Sequence, residues 1–381
     1  MQSIEESVRK EIVFTSIGLH SLILASAEAA LALQSIAGSM PPGHNGPYFD
    51  PETPVRNTAH WLITFMKAHK ISGDQVYLEA ARRAIAFLHS QEARPMGGSF
   101  WLRKNPEKDF CNGLIGQAWI IEALAIAAKY LGDEASHCLA ESVFLQHPFD
   151  ERLGLWRRIN VDGSYLPLDM TFNHQLWFAA AGSLLLPTQD TRVLERARRF
   201  LDTVSQNITI YSNGLIRHPL TLDPLKMGRI KRFSKFVHDS FVSSKEELGR
   251  DKFYDKSLGY HSYNLYGFAL LKQQFPDHAF WKSKKFMKML AYVELSEYYT
   301  GLEGNKYGYP FNPPGFEVAF ALGVFKMDSE EKQAWWVSEQ MRRYFNFGTN
   351  MLMSKSEDPI TQAARFYEAT RLPNFEIHIN G

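Results

Sequence analysis

Apolar positions along the chain fall into two kinds of helical run that take turns. One kind opens on polar or aromatic residues beside Gly or Pro and then turns strongly apolar. It comprises Pro54 to His69, Asn112 to Leu131, Asp169 to Leu186, Tyr260 to Phe275, Pro314 to Phe325 and Pro359 to Thr370. The other is richer in Arg, Lys and Glu: Ile4 to Ile36, Asp74 to Glu92, Glu134 to Gln146, Asp190 to Gln206, His278 to Tyr299 and Ser329 to Phe345. A helix apolar all round is covered on every side, whereas an amphipathic one keeps a wet face. Strict alternation of the two predicts an all-α fold in which an outer ring of helices sheathes an inner one. The inner runs, marked by His60, Gly116, His174, Tyr263 and Glu317, follow one another at roughly 45 to 60 residues, a spacing that suits a repeated helical hairpin. One interval, between His174 and Tyr263, is longer. It holds residues 207–256, with Asn213-Gly214, two prolines and the basic cluster Lys226, Arg229, Lys231, Arg232 and Lys235. This stretch reads as a loop-rich insertion over the ring mouth, within one domain of residues 1–381.

Turn chemistry precedes the inner runs, as in Pro41-Pro42-Gly43-His44-Asn45-Gly46-Pro47, Asp162-Gly163 and Asn312-Pro313-Pro314-Gly315. Such loops are expected to gather on one rim. Two stretches there carry the candidate chemistry: Phe172-Asn173-His174-Gln175 and Tyr260-His261-Ser262-Tyr263. Asn, His and Tyr are poor helix-interior residues whose polar atoms need partners, so two such clusters at helix mouths suggest a lined cleft. The same rim collects Arg56, Asn57, His60, Trp101, Arg103, Asn112, Trp156, Arg157, Arg158, Tyr307, Tyr309 and Glu317. Aromatic faces with Arg and Asn between them suit sugar rings, whose C–H faces stack while hydroxyls and carboxylates take hydrogen bonds. Structural roles compete at each position. Asn173 is also a plain helix cap, Tyr263 a core aromatic, and Glu317 a complement to the positive end of its helix.

Composition narrows the classes. The chain has 381 residues, 45% hydrophobic and 13% aromatic, ample for a large core. A formal net charge of +1 supplies no global field toward nucleic acid or membrane, so an anionic partner must be met by local Arg and Lys. The two cysteines, Cys111 and Cys138, form no disulfide framework and read as buried small hydrophobes in a reduced compartment. Residues 12–37 are apolar but interrupted by His20 and Glu28, and Glu5 and Glu6 weaken a cationic leader; they read as a packed helix. No signal peptide and no membrane span are expected, and a cytoplasmic enzyme is the default. No HExxH, EF-hand loop, Cys/His cluster, P-loop or GxGxxG is present, so no metal or other cofactor is expected.

An alternating six-hairpin chain with these entrances resembles the (α/α)6 toroid of carbohydrate-active enzymes. Within that group, Asn173-His174 before an aromatic-apolar helix resembles the Asn-His pair of alginate-lyase-type polysaccharide lyases. Tyr260-His261-Ser262-Tyr263 resembles the Tyr-His-x-Tyr signature of the same enzymes, and uronyl C5-epimerases show similar text. The Arg that this family places seven positions before its catalytic Tyr is Lys256 here, which keeps a cation without the bidentate fork. The resemblance implies removal of the weakly acidic C5 proton of a uronate, followed by β-elimination or by epimerisation. Asn173 and His174 would hold the carboxylate, Tyr263 would transfer protons, and Tyr260 and His261 would support it. Arg56, Asn57, His60, Asn112, Gln117, Trp119, Lys256 and Glu317 would bind an acidic glycan. Other readings stay open. A glycoside hydrolase related to unsaturated uronyl hydrolases, or a sugar isomerase, would use Asp169, Glu122 or Glu317, with no pair fixed by spacing. A non-catalytic glycan-binding protein would need no pair at all. Sugar identity and oligomeric state are not readable from the text.

Overall fold

The computed structural model describes residues 16–222, 253–325 and 329–379. The basic cluster from Lys226 to Lys235 and the start of the first amphipathic run lie outside the described residues.

Outer and inner helices alternate as the pattern predicts. The first six are α1 (Leu19–Leu31, outer), α2 (Val55–Ser72, inner), α3 (Gln75–Leu88, outer), α4 (Gly113–Leu131, inner), α5 (Glu134–Gln146, outer) and α6 (Phe172–Ser183, inner). Then come α7 (Thr191–Asn207, outer), the short α8 (Tyr254–Gly259), α9 (His261–Gln274, inner), and α10 (Lys284–Ala291) with α11 (Ser296–Leu302), both outer. The set ends with α12 (Pro314–Phe325, inner), α13 (Glu330–Tyr344, outer) and α14 (Pro359–Ala364, inner). Inner helices touch in turn, α2 to α4 to α6 to α9 to α12, and a 3₁₀ segment, Arg365–Arg371, follows α14 and packs back on α2. The ring is therefore closed, and this is the (α/α)6 toroid.

Burial follows the two helix types. On α7 the apolar stripe Val193, Ala197, Phe200, Leu201 and Val204 is buried while the arginines face out. On α4 nearly every side chain is covered. With 19 residues, α4 is the one described helix long and apolar enough to cross a bilayer, a length and composition that a buried core helix shares. Here it lies between α2, α5 and α6.

Helix starts differ between the rings. Asp74, Asp133, Asp190, Ser283 and Ser329 cap the outer α3, α5, α7, α10 and α13, each accepting a first-turn N–H. None of the inner α2, α4, α6 and α9 is capped by its own N-cap side chain. Their starts all lie at one end of the ring, where amides of α4 and α6 are met by Asp109, Asp169 and the His218 carbonyl instead.

Five expectations need correction. The run His278 to Tyr299 is not one helix. Ser283 accepts from Phe286 N at 3.1 Å and restarts the chain, and Leu295 is extended, so that Phe286, Tyr292 and Tyr298 all reach the core. The last inner helix gives way to 3₁₀ geometry at Arg365. Residues three apart eclipse in a 3₁₀ turn, which brings Arg365 directly over Glu368. Between α5 and α6 an antiparallel meander appears, β1 (Phe149–Asp150), β2 (Leu155–Ile159) and β3 (Tyr165–Leu168). It turns through Gly154 and Gly163, both at positive φ. Trp156 of β2 is wholly buried against Phe144, Phe149 and Phe178, not on the rim. Cys111 is buried as expected, but Cys138 is exposed on α5.

Candidate active site

At the end where the uncapped inner helices start lies a cavity of about 240 Å³. That is below the ~300–1,000 Å³ of sites for drug-sized ligands and suits a single sugar unit.

Its first component is an Asp–His pair. His174, on the first turn of α6, donates from Nδ1 to Asp169 Oδ2 at 2.9 Å. Asp169 Oδ2 also accepts Leu114 N–H at 3.1 Å, an amide of the uncapped α4, and Oδ1 accepts Thr171 N–H at 3.1 Å. Burial alone would raise the Asp169 carboxyl. The His174 imidazole, Arg158 and the Leu114 amide outweigh it and hold the group well below the usual carboxylate range. The carboxylate therefore stays ionised, and His174 points its other nitrogen, Nε2, toward the cavity that it lines.

Gly113 makes room for this pair. It has φ +61°, and a Cβ there would sit 2.6 Å from Asp169 Oδ2 and 2.8 Å from His174 Nδ1. Gly113→Ala is expected to cost about 1–2 kcal/mol of stability for the left-handed backbone. Displacing the pair is expected to lower turnover about 100-fold, the effect of a misplacement near 1 Å. Urea melts and turnover on the same sample separate the two effects.

The second component is positive charge. Among the described residues five cations line the cavity, Arg56, Arg103, Lys108, Lys256 and Arg365, and no Asp or Glu does. Four of them are held by carboxylates behind the wall. Arg56 pairs with Glu52 at 3.1 Å, donates to Asn45 Oδ1 at 3.0 Å, and lies 4.0 Å from the Trp119 ring centroid. Arg103 and Lys108 share Asp50 at 3.2 Å each. Arg365 reaches Glu317 Oε1 at 2.9 Å and Glu368 Oε1 at 2.6 Å, with its guanidinium 4.8 Å from the Tyr263 ring. Burial, then the neighbouring Glu368 charge, pushes the Glu317 carboxyl well up, against the pull of Arg365. Lys256 differs. Among the described residues no carboxylate pairs with it. Its ammonium lies 4.8 Å from the Tyr48 ring and 5.9 Å from those of Tyr260 and Tyr307. Burial, then Lys108, brings its pKa down to about 8.

The expected site residues separate into three groups. Arg56, Asn112, Trp119, Asn173, His174, Lys256, Tyr260 and Tyr263 line the cavity together. His60 and Glu317 stand behind it. His60 accepts Arg56 Nε–H at 3.4 Å and stacks on Tyr367, and Glu317 holds Arg365. Asn57, Gln117 and His261 face elsewhere. Asn57 donates to Pro41 O at 2.8 Å, and Gln117 exchanges bonds with Phe100 and Cys111. His261 accepts Ile216 N–H at 3.2 Å and donates to Met289 O at 2.9 Å, and burial holds its pKa down to about 3. Their partners are backbone groups, so these three tie loops to the ring. The sequence reading missed Tyr48, Lys108, His218 and Arg365 in the lining. A lone Arg inside the apolar run Ala363-Ala364-Arg365-Phe366 is a legible signal. His218, in the stretch taken for an insertion, gives none beyond the extended backbone expected before Pro219.

Comparison with known proteins follows this geometry. Archaeal glycosylation protein Q of Haloferax volcanii is 45% identical to the chain over 368 residues, covering 95% of this chain and 99% of that protein. The chain belongs to the archaeal glycosylation protein Q family. No family model matches it. The chain shares its toroid with solved structures of low identity. A cellobiose 2-epimerase from Spirochaeta thermophila DSM 6192 has TM-score 0.64 and 16% identity, covering 93% of this chain and 96% of that one. A D-mannose isomerase has TM-score 0.62 and 14% identity, with 92% and 95% covered. An unsaturated glucuronyl hydrolase specific for heparin has TM-score 0.60 and 12% identity, with 92% and 94% covered. At these identities the likeness concerns the fold.

Proposed function

We propose that the cavity binds a hexuronate unit and that the Asp169–His174 pair moves the proton at its C5, an enzyme reaction leading to C5-epimerisation. The observation that carries this reading is the lining: cations from an inner helix and the segments around it, an Asp-oriented imidazole, and no carboxylate among the described residues. A glycoside hydrolase works with two carboxyl groups across the scissile bond, and Glu122, Glu317 and Asp169 stand behind the lining, committed to Arg371, Arg365 and His174. The substrate carboxylate takes the place opposite Lys256 that no carboxylate among the described residues fills. Charge that develops as C5–H breaks is met by Lys256, Arg56 and the inner helix amides. Asp169 fixes the His174 tautomer and balances the imidazolium when it forms, as in other Asp–His pairs.

Tyr263 takes a different role from the base that the resemblance implies. It is 2% exposed, stacks on Trp177 with centroids 4.3 Å apart, and accepts Trp119 Nε1–H at 2.9 Å. Burial raises its pKa well above the ordinary value, so it enters as a neutral phenol able to donate to a substrate oxygen. The family name, glycosylation protein, supports a sugar unit of a growing glycan as the ligand.

The test is incubation with free and glycosidically linked hexuronates in D₂O. Loss of the H5 signal by NMR with no new chromophore is the expected result. Near-ultraviolet absorbance from a 4,5-unsaturated product would assign β-elimination instead. New reducing ends without exchange would overturn proton abstraction.

Lys256 sets the pH dependence. With its pKa lowered to about 8, it is cationic below that pH and neutral above it. KM for a hexuronate is therefore expected to be flat near pH 6–7 and to rise above about pH 8, tending toward ~10-fold per pH unit as one charge is lost. Lys256→Met should raise KM throughout and remove the rise, which initial rates across the pH range will show.

A further inference from the structure

We propose that His218 is a second proton-transfer residue of the cavity, working with His174 so that the C5 proton is removed by one imidazole and returned by the other. The inference rests on the hexuronate reading and deepens it, because it makes inversion, not elimination, the outcome.

His218 lines the same cavity and is 7% exposed. Among the described residues no group hydrogen-bonds either of its ring nitrogens, and Nδ1 is buried without a partner. An imidazole usually satisfies at least one nitrogen when it is buried for packing alone. Here a structural role would also be odd on the backbone side, because the segment is pinned in place. His218 N–H donates to Ser257 Oγ at 3.0 Å, and its carbonyl accepts Phe172 N–H at 3.0 Å. Leu220 N–H bonds Met170 O at 2.9 Å, and Pro219 bridges Thr171. This short antiparallel ladder runs beside the start of α6, so the segments that carry the two histidines are fixed to each other. The ring rests against Tyr260, with centroids 5.0 Å apart.

The two imidazoles are prepared differently. Burial, then Lys256 and then His174, keeps His218 well below the usual histidine pKa, so it holds a free lone pair at neutral pH. His174 has the ionised Asp169 behind it, which stabilises an imidazolium. In one direction neutral His218 takes the C5 proton, and the C–H electron pair moves into the carboxyl group as an enediolate facing Lys256. His174 in its imidazolium form then returns a proton to C5, and the enediolate pair becomes the new C–H bond. One proton leaves and one arrives, no redox partner is needed, and exchange with water resets both imidazoles. The reverse direction uses the histidines in the opposite order.

The experiment follows deuterium entry at C5 by NMR, starting separately from the hexuronate that the first assay turns over and from its C5 epimer. The wild-type protein should interconvert the two and label both. His218→Asn and His174→Asn should each lower interconversion about 100-fold or more, while melting temperature reports that the fold stands. Each variant should keep exchange without inversion in one epimer, and the two variants should keep it in opposite epimers. Interconversion within a few-fold of wild type in His218→Asn, or exchange retained in the same epimer by both variants, would overturn the role of His218 and leave the hexuronate reading intact. Wild-type protein that yields only unsaturated product overturns the second proton transfer alone. Wild-type protein with no C5 exchange overturns the parent reading and this one together.

Discussion

Asp169→Asn is expected to lower turnover about 10³–10⁴-fold while the toroid remains folded. An amide with its oxygen in the place of Oδ1 still accepts Thr171 N–H, one of the three bonds the carboxylate now accepts, and gives up the bond from Leu114 N–H, which shares Oδ2 with His174. Its NH₂ group then faces His174 and can only donate. The imidazole must accept at Nδ1 and carry its proton on Nε2, the tautomer with no lone pair toward the cavity. The same exchange in an established Asp–His pair costs about 10⁴ in kcat. A kcat within tenfold of wild type would show that the pair plays no part in proton transfer.

Arg365→Met is expected to have the largest effect on stability, about 3–5 kcal/mol, the range for removing one partner of a buried ion pair. Arg365 is 3% exposed, and the Glu317 and Glu368 side chains that it bonds are fully buried. Without the guanidinium, both carboxyl groups are left in a dry ring. Ser262 Oγ still donates to Glu317 at 2.6 Å, too little to offset two charges. The double exchange Glu317→Gln with Glu368→Gln in the Arg365→Met background should recover part of the loss, since it replaces buried charge by neutral amides. Urea midpoints at constant slope measure both. A shift under 1 kcal/mol for the single variant would mean that the carboxyls are already neutral.

The double ring was legible because amphipathic and wholly apolar helices look different in text, and closure follows once they alternate. Its irregular parts were not. The break in the fifth outer helix depends on one serine taking a backbone amide, a choice that periodicity does not record. The meander was hidden because a register shift between Arg157 and Ile159 spoils the alternation of a strand. At the site, helical geometry explains which residues were misplaced. Tyr260 and Tyr263 stand three apart and share a face, whereas His261, one position on, turns about 100° away. Arg56 and His60 share a face four apart, and Asn57 between them does not. His218 and Arg365 reach the cavity through pairings distant in sequence: a strand ladder to the start of α6, and a 3₁₀ turn after α14.

The uncapped inner helices have a thermodynamic consequence. Each helix start carries roughly half a positive charge on amide hydrogens that its own cap does not satisfy. Around the cavity these partial charges add to those of the lysine and arginine side chains, and all of them repel one another most when the site is empty. Occupancy by any small oxyanion should therefore tighten the whole ring, not only the ligand's neighbours. Sulfate or phosphate should raise the melting temperature by mass action and compete with a hexuronate, and sodium chloride at equal ionic strength should do neither to the same extent.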